Sequence, residues 1–296
     1  MSGFSGFSMP AVDSEEMIII ETGAMKRAKN ETERALNRRT GCLWSGAAGV
    51  GKTQAAKWLK RTLKRERENG NKDVVQAAYW EAPCGQDAPR EARQLMGYLH
   101  RAITGTELDA GVVRGKTIDF VEELVRRAAR QRRVRLLLID EAQALTQDAL
   151  RALVRFVNRA RETDWPITPV LIATGELPDV IISTPFLSRR FDVRVPLEPV
   201  RKEEIELYVK TLFPAWFPES IPKDFLDYLL KQTGGNLSEL HALLMDAEAI
   251  VSGVRVTPDV TALKAAQLRR QQATVRMRKI QRSGYVPEGL NAKETP

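Results

Sequence analysis

Residues 46–53 read Gly-Ala-Ala-Gly-Val-Gly-Lys-Thr. Glycines this dense are costly inside a regular helix or strand, because glycine gives up more backbone freedom on folding than any other residue. The flanks narrow the choice further. A short apolar run, Gly41 to Ser45, leads in, and a stretch of helical composition, Gln54 to Lys64, leads out. A glycine-rich turn between strand and helix gathers successive amide N–H groups around one concavity, backed by the positive end of the helix. Gly46, Gly49 and Gly51 permit conformations and close approaches that a Cβ would forbid. With Val50, Lys52 and Thr53 they form a phosphate cradle of the G-x-x-x-x-G-K-T spacing. Lys52 is expected to reach the β- and γ-phosphates of a nucleotide, and Thr53 to place its hydroxyl on Mg²⁺.

A second motif completes the first. Leu136-Leu-Leu-Ile139 is a buried-strand run, and Asp140 and Glu141 follow at its C-terminal end. Ligands in open α/β sheets bind at that end. Asp140 is expected in the Mg²⁺ shell, directly or through water, and Glu141 one residue on is expected to polarise an attacking water. The pair of motifs predicts ATP or GTP bound with Mg²⁺, and Glu141 argues for hydrolysis.

The rest of the chain sets these motifs in a fold. Short apolar runs at Gly41 to Ser45, Val74 to Trp80, Arg135 to Ile139, Val170 to Thr174 and Val193 to Pro196 alternate with helical stretches. That rhythm predicts an α/β domain with a parallel sheet. After Pro199 the strand signal ends, and 201–213, 223–232, 236–252 and 257–282 carry apolar residues at helical spacing. The expected division is an N-terminal arm and helix over 1–38, a nucleotide-binding domain over 39–198, a smaller helical lid over 199–265, and a basic helix with a mobile tail over 266–296. Two cysteines and two histidines cannot build a disulfide framework or a His-based metal centre. No apolar stretch is long enough to span a membrane and the N-terminus lacks a secretion signal, so a cytoplasmic protein is expected. A net charge of +8 with a pI near 9.6 suggests a polyanionic partner.

The cradle, the Asp140-Glu141 pair, the strand ending at Thr174 and the helical lid together resemble the AAA+ ATPases. Within that group the chain is most similar to the ATPase subunits of DNA transposition, the TniB, TnsC, MuB and IstB type, over residues 39 to about 265. The resemblance implies ATP rather than GTP, a bacterial or phage source, and roles for further residues. Thr174 matches the polar sensor at the γ-phosphate or water. Ser188-Arg189-Arg190-Phe191 matches the segment that offers an arginine to the nucleotide of the next subunit, with Arg190 first choice and Arg189 second. The position of a basic residue in related lids falls near Glu239, which is acidic here; either the alignment slips or hydrolysis lacks that contact.

Two basic features could meet a duplex. Arg126 to Arg135 holds six arginines in ten positions, readable equally as a solvated helix end. Gly111-Val-Val-Arg114-Gly-Lys116-Thr117 is a Gly-punctuated loop with phosphate-binding side chains. By the resemblance this loop and the one after the second strand, which includes Arg90, face DNA at the centre of an oligomer. Arg90, Arg114, Lys116 and Thr117 are therefore the candidate contacts, insensitive to base sequence and sensitive to salt. The basic run Arg269 to Arg282 reads as a solvated helix extension or a partner-docking segment. The Phe213-Pro-Ala-Trp-Phe217 stretch reads as a turn packing the lid. The resemblance implies an ATP-dependent regulator that forms a ring or helical filament on double-stranded DNA, recruits a transposase with or without a target-selection adaptor, and disassembles on hydrolysis. A helicase loader or replication initiator, and a non-hydrolysing nucleotide switch, are the competing readings.

Overall fold

The computed structural model describes residues 20–251 and 258–282, the last nine of these without their side chains. The expected N-terminal arm lies almost wholly outside the described residues, as do the C-terminal tail and the side chains of the basic run beyond residue 273. The chain divides after Val200 into two compact units.

The first unit is a five-stranded parallel sheet. Strands β1 (Cys42–Ser45), β2 (Gln76–Glu81), β3 (Val134–Asp140), β4 (Thr168–Ala173) and β5 (Val193–Pro196) are ordered β2-β3-β4-β1-β5. Helices α1 (Gly23–Arg38), α2 (Lys52–Glu68), α3 (Ala92–Thr104), α4 (Ala110–Gly115), α5 (Ile118–Gln131), α6 (Gln147–Arg161), α7 (Leu177–Ser183) and α8 (Pro185–Ser188) surround it. The central strands read as unbroken apolar runs because helices cover both faces. On one face Leu43, Leu137, Ile139 and Leu171 pack with Leu95, Leu99, Val125 and Phe156. On the other, Trp44, Leu136, Leu138 and Ile172 pack with Met25, Ala28, Trp58 and Leu59. Neighbours in sequence thus point to opposite faces, as a pleated strand requires.

The strand order explains where a site can form. From β1 the chain leaves by α2 and returns at β2, beyond β4 and β3, so the connections diverge on either side of the β1–β4 pair. The crevice at the C-terminal ends of such strands is the place for a ligand. Ser45 is level with Ala173 across β1 and β4, and Ile139 is level with Leu171 across β3 and β4. The ends of β1, β3 and β4 therefore come out on one edge.

Helix α1 belongs to this unit. Its Met25, Ala28 and Ala35 are buried against the sheet, and Arg27 and Arg38 reach Glu198 and Asp192 at 2.9 and 2.7 Å. The Trp44 indole N–H donates to Thr32 Oγ1 at 3.1 Å in the sealed space between them. Burial there also pushes the Cys42 thiol up to about 12. Where the sequence reads a loop at 111–117, the structure has a short helix, α4, capped by Asp109, whose Oδ1 accepts from Val112 N at 3.1 Å. Thr117 in turn caps α5 by accepting from Phe120 N at 3.4 Å.

The described residues of the second unit form four helices: α9 (Lys202–Leu212), α10 (Lys223–Thr233), α11 (Leu237–Val251) and α12 (Val260–Arg282). Phe213 and Trp216 stack at 4.1 Å and Phe225 closes on Trp216 edge-on at 6.4 Å. The Trp216 indole N–H donates to Glu248 Oε2 at 2.5 Å. The aromatic turn is thus internal packing of this unit. Glu239 is ion-paired with Arg270 at 2.8 Å, and Arg270 also meets Asp246 at 3.5 Å. No helix among the described residues is long and apolar enough to cross a membrane.

Thr32→Val keeps the shape of the side chain but strands the buried Trp44 N–H. Equilibrium urea unfolding is expected to show a loss of about 1–3 kcal/mol.

Candidate functional site

The cradle begins where β1 stops. At Gly46 a Cβ would meet the carbonyl oxygen of Leu197 at 2.5 Å, because the chain leaving β5 folds over the root of the turn and Leu197 N donates to Ser45 O at 2.7 Å. Gly49 and Gly51 have φ of 79° and 95°, conformations that L side chains resist. Gly51 is the N-cap of α2 and supplies no side-chain cap. The first turn of that helix therefore offers its amide end to the cradle.

Lys52 opens α2 and is only 6% exposed. Its ammonium donates to the carbonyls of Gly46 and Ala47 at 3.0 and 2.8 Å, and it has no ion pair among the described residues. Burial lowers its pKa, and the nearby charges of Glu141 and Asp140 work in the opposite direction. Carbonyl dipoles and the two nearby carboxylates thus offset the cost of burying this cation, an environment suited to binding an anion.

Asp140 ends β3 and is 1% exposed. Its Oδ1 accepts from Glu141 N at 2.9 Å and its Oδ2 from the Tyr79 hydroxyl at 2.9 Å. Burial first, and then the charge on Asp140, pushes the Tyr79 phenol well above its usual range, so it remains a donor. Both partners of this buried carboxylate are neutral. Thr53 follows Lys52 at the start of α2. Among the described residues no group of three or more His, Cys, Asp or Glu side chains could hold a metal. A Mg²⁺ held by Asp140 and the Thr53 hydroxyl, with phosphate oxygens and water completing its shell, fits these donors and the uncompensated carboxylate. Bound there, it would neutralise phosphate charge and fix the phosphates' orientation.

Glu141 has φ 51° and ψ 36°, an uncommon backbone state for a residue with a side chain, and one found often at functional positions. The turn Ala142–Ala144 follows it. There Gln143 Nε2 donates to Glu141 Oε2, and Gln143 Oε1 accepts from Thr174 N at 3.1 Å. Thr174 lies just past β4 and is half-buried. The structure thus gathers the cradle, Asp140, Glu141 and Thr174 on one edge of the sheet. It also adds Tyr79 and Gln143, which the sequence reading missed.

Arg189 and Arg190 are placed elsewhere. The Arg190 carbonyl accepts from Gly41 N at 2.6 Å and Thr40 Oγ1 at 3.0 Å. A Cβ on Gly41 would strike the Phe191 ring at 2.5 Å. This pins the arginine segment to the start of β1, the opposite end from the cradle, a strand length of about 13 Å away. Arg189 is exposed and Arg190 half-buried, and neither is ion-paired among the described residues.

The candidate basic loops come together. Arg90 lies exposed in the segment between β2 and α3. That segment is tied down by Ala82 N to Asp140 O at 2.9 Å, Tyr98 Oη to Asp87 O at 3.1 Å, and Thr146 Oγ1 to Pro89 O at 3.2 Å. Arg93 was not singled out in the sequence. Its guanidinium donates to the carbonyls of Val113 and Arg114 at 3.2 and 2.9 Å, joining α3 to α4. Arg114, Lys116 and Thr117 are exposed beside it. Lys116 sits over the Phe120 ring at 5.8 Å. The run Arg126 to Arg135 lies at the other end of α5. Arg126 and Arg127 pair with Glu123 at 2.7 and 3.0 Å, and Arg135 sits over Trp165 at 5.7 Å.

A parallel sheet in this order, with a phosphate cradle after β1 and an acid pair after β3, is the AAA+ P-loop ATPase fold. Residues 36–181 match the family model described as an AAA domain. Among solved structures, ORC2 of Aeropyrum pernix in its ADPNP-ADP complexes is similar, with a TM-score of 0.61 at 17% identity over 86% of this chain and 70% of that one. ORC1 of Aeropyrum pernix in complex with DNA gives 0.57 at 17% over 83% and 64%. Domain III of the Thermotoga maritima replication initiation protein DnaA gives 0.54 at 14% over 84% and 92%. No curated protein matches at a significant level.

Tyr79→Phe removes a neutral donor from Asp140 with no loss of ring volume. Titration of Mg²⁺-dependent nucleotide binding is expected to need roughly tenfold more Mg²⁺, as when outer partners of metal ligands are lost.

Proposed function

We propose that the chain is a Mg²⁺-dependent ATPase that assembles on double-stranded DNA in an ATP-dependent manner, without regard to base sequence, and regulates DNA transposition. The observation that carries the nucleotide part is the buried ammonium of Lys52, held by two backbone carbonyls inside a cradle on the same sheet edge as Asp140, Glu141 and Thr174. Gly46, Gly49, Val50 and Gly51 wrap the phosphates with their backbone. Lys52 exchanges its two carbonyls for phosphate oxygens. Glu141 orients and deprotonates the attacking water, and Thr174 lies where a polar side chain reaches the γ-phosphate or that water. Because Arg190 is pinned far from its own cradle, it serves the nucleotide of a neighbouring copy, with Arg189 beside it. A guanidinium supplied in this way stabilises charge that develops in phosphoryl transfer.

The DNA part rests on the exposed Arg90, Arg114, Lys116 and Thr117; Thr146 holds the Pro89 carbonyl beside Arg90, and Arg93 holds the carbonyls of Val113 and Arg114. Thr117 still has its O–H to donate, since its cap uses only the oxygen. Such contacts go to phosphates and give salt-sensitive binding. ATP between copies favours a ring or helical filament, which then recruits a transposase, with or without a target-selection adaptor. A replication initiator or helicase loader is the second reading, favoured by the likeness of fold to DNA-bound ORC1 and to DnaA. Capture of a purified transposase against a purified replicative helicase, each with ATP and duplex present, separates the two.

Lys52→Ala is expected to abolish ATP binding and, with it, the gain in duplex affinity that ATP confers, read by fluorescence anisotropy. Glu141→Gln is expected to bind ATP normally, to lose hydrolysis by 100-fold or more (on the order of a missing catalytic base) and to stay assembled on DNA. A wild-type duplex affinity indifferent to ATP would sink the assembly reading. Normal turnover in the Glu141→Gln variant would sink the assignment of the base.

A further inference from the structure

Gln143 sits between two of the proposed catalytic positions and belongs to neither motif. It lies in the turn Ala142–Ala144, which packs against β4 and is fixed by the buried side chains of Ala142 and Leu145. Its amide makes two directed bonds. Nε2 donates to the Glu141 carboxylate, and Oε1 accepts from the backbone N–H of Thr174 at 3.1 Å. The second bond settles the orientation of the first. A backbone N–H can only donate, so the amide must turn its oxygen to Thr174 and its NH₂ to Glu141. The carboxylate therefore always meets a donor on its Oε2 side, which leaves Oε1 for a water. The donor is uncharged, so it orients the carboxylate without quenching it as an arginine or lysine would.

We propose that Gln143 is a positioning residue for hydrolysis: its side-chain amide locks the Glu141 carboxylate to the end of β4, so that Glu141 and Thr174 are presented to the nucleotide as one unit. This rests on the ATPase reading above. Glu141 stands on an uncommon backbone conformation and its long side chain has several rotamers. Without the amide it samples them, and general-base catalysis falls steeply when the base is misplaced by even an ångström. ATP binding does not pass through Gln143, because the cradle and Lys52 are built on β1 and α2.

Two variants separate the halves of the bridge. Gln143→Leu removes both bonds. Gln143→Glu keeps an acceptor for Thr174 N–H but replaces the donor facing Glu141 with a second carboxylate. Both are expected to bind a fluorescent ATP analogue within about twofold of wild type. Both should hydrolyse ATP with kcat reduced by about tenfold or more and KM little changed. Gln143→Glu is isosteric and carries the test alone should Gln143→Leu fail to fold. Wild-type kcat in Gln143→Glu would overturn the proposal and leave Gln143 as an anchor for β4 only. A loss of ATP affinity in Gln143→Glu equal to the loss in turnover would overturn it as well. Wild type and Glu141→Gln are assayed alongside. An inactive wild type overturns the ATPase reading and this inference with it, whereas an active wild type with an inactive Glu141→Gln leaves the reading standing and judges Gln143 alone.

Discussion

The parallel pairing of β1 with β4 holds the candidate site together. β1 has only four residues, yet it is flanked by β4 and β5, buried on both faces, and sealed by the Trp44–Thr32 hydrogen bond. Its last rung sets Ser45 against Ala173, so the cradle and Thr174 leave the sheet side by side. The neighbouring rung of β3 brings Asp140 out on the same edge. A slip of one residue in β1 would turn Trp44 to the other face and withdraw the cradle from the acids. The fit of one buried indole thus bears on the placement of the cradle that begins two residues further on.

Charge is balanced at this edge only in part. Lys52 is buried with carbonyls, Asp140 is buried with neutral donors, and the two sense each other without forming an ion pair. On the reading proposed above, a triphosphate would meet Lys52 and its cation would meet Asp140. The same edge leads outward through hydrogen bonds. Asp140 O receives Ala82 N, the segment beyond carries Arg90, and Arg93 clips on the carbonyls of Val113 and Arg114.

Much of this was legible in the residues. The cradle announces itself by spacing, the acid pair by its place after an apolar run, and all five strands by β-type runs between helices. The strand order was not legible, because periodicity says which face is buried and nothing about which strand is the neighbour. Tyr79, Arg93 and Gln143 were missed for a related reason: each acts across 20 to 61 residues of sequence, where no local pattern records the pairing. Gln143 alone left a nearby sign, a polar side chain two positions after the acid pair. The stretch 111–117 was read as a loop from its glycines, but Asp109 and Thr117 cap two consecutive helices there. The arginines of 126–135 looked like one cluster. Glu123 and Trp165 engage three of them, and they sit at the end of α5 remote from Lys116.

The placement of Arg190 makes the fold's economy visible. The glycine at position 41 lets Phe191 and the Arg190 carbonyl press directly on the entry to β1, and the glycine at position 46 lets Leu197 press on its exit. Both pinches bind β5 and its leading turn to the same four-residue strand. That rigidity keeps the arginine a full strand length from its own cradle, so no side-chain rotation brings the guanidinium to the phosphates beside Lys52. That separation is what supports the proposal above that Arg190 serves the nucleotide of another copy. The tight packing around β1, which looks at first like ordinary core, is thus what separates the arginine segment from the phosphate cradle.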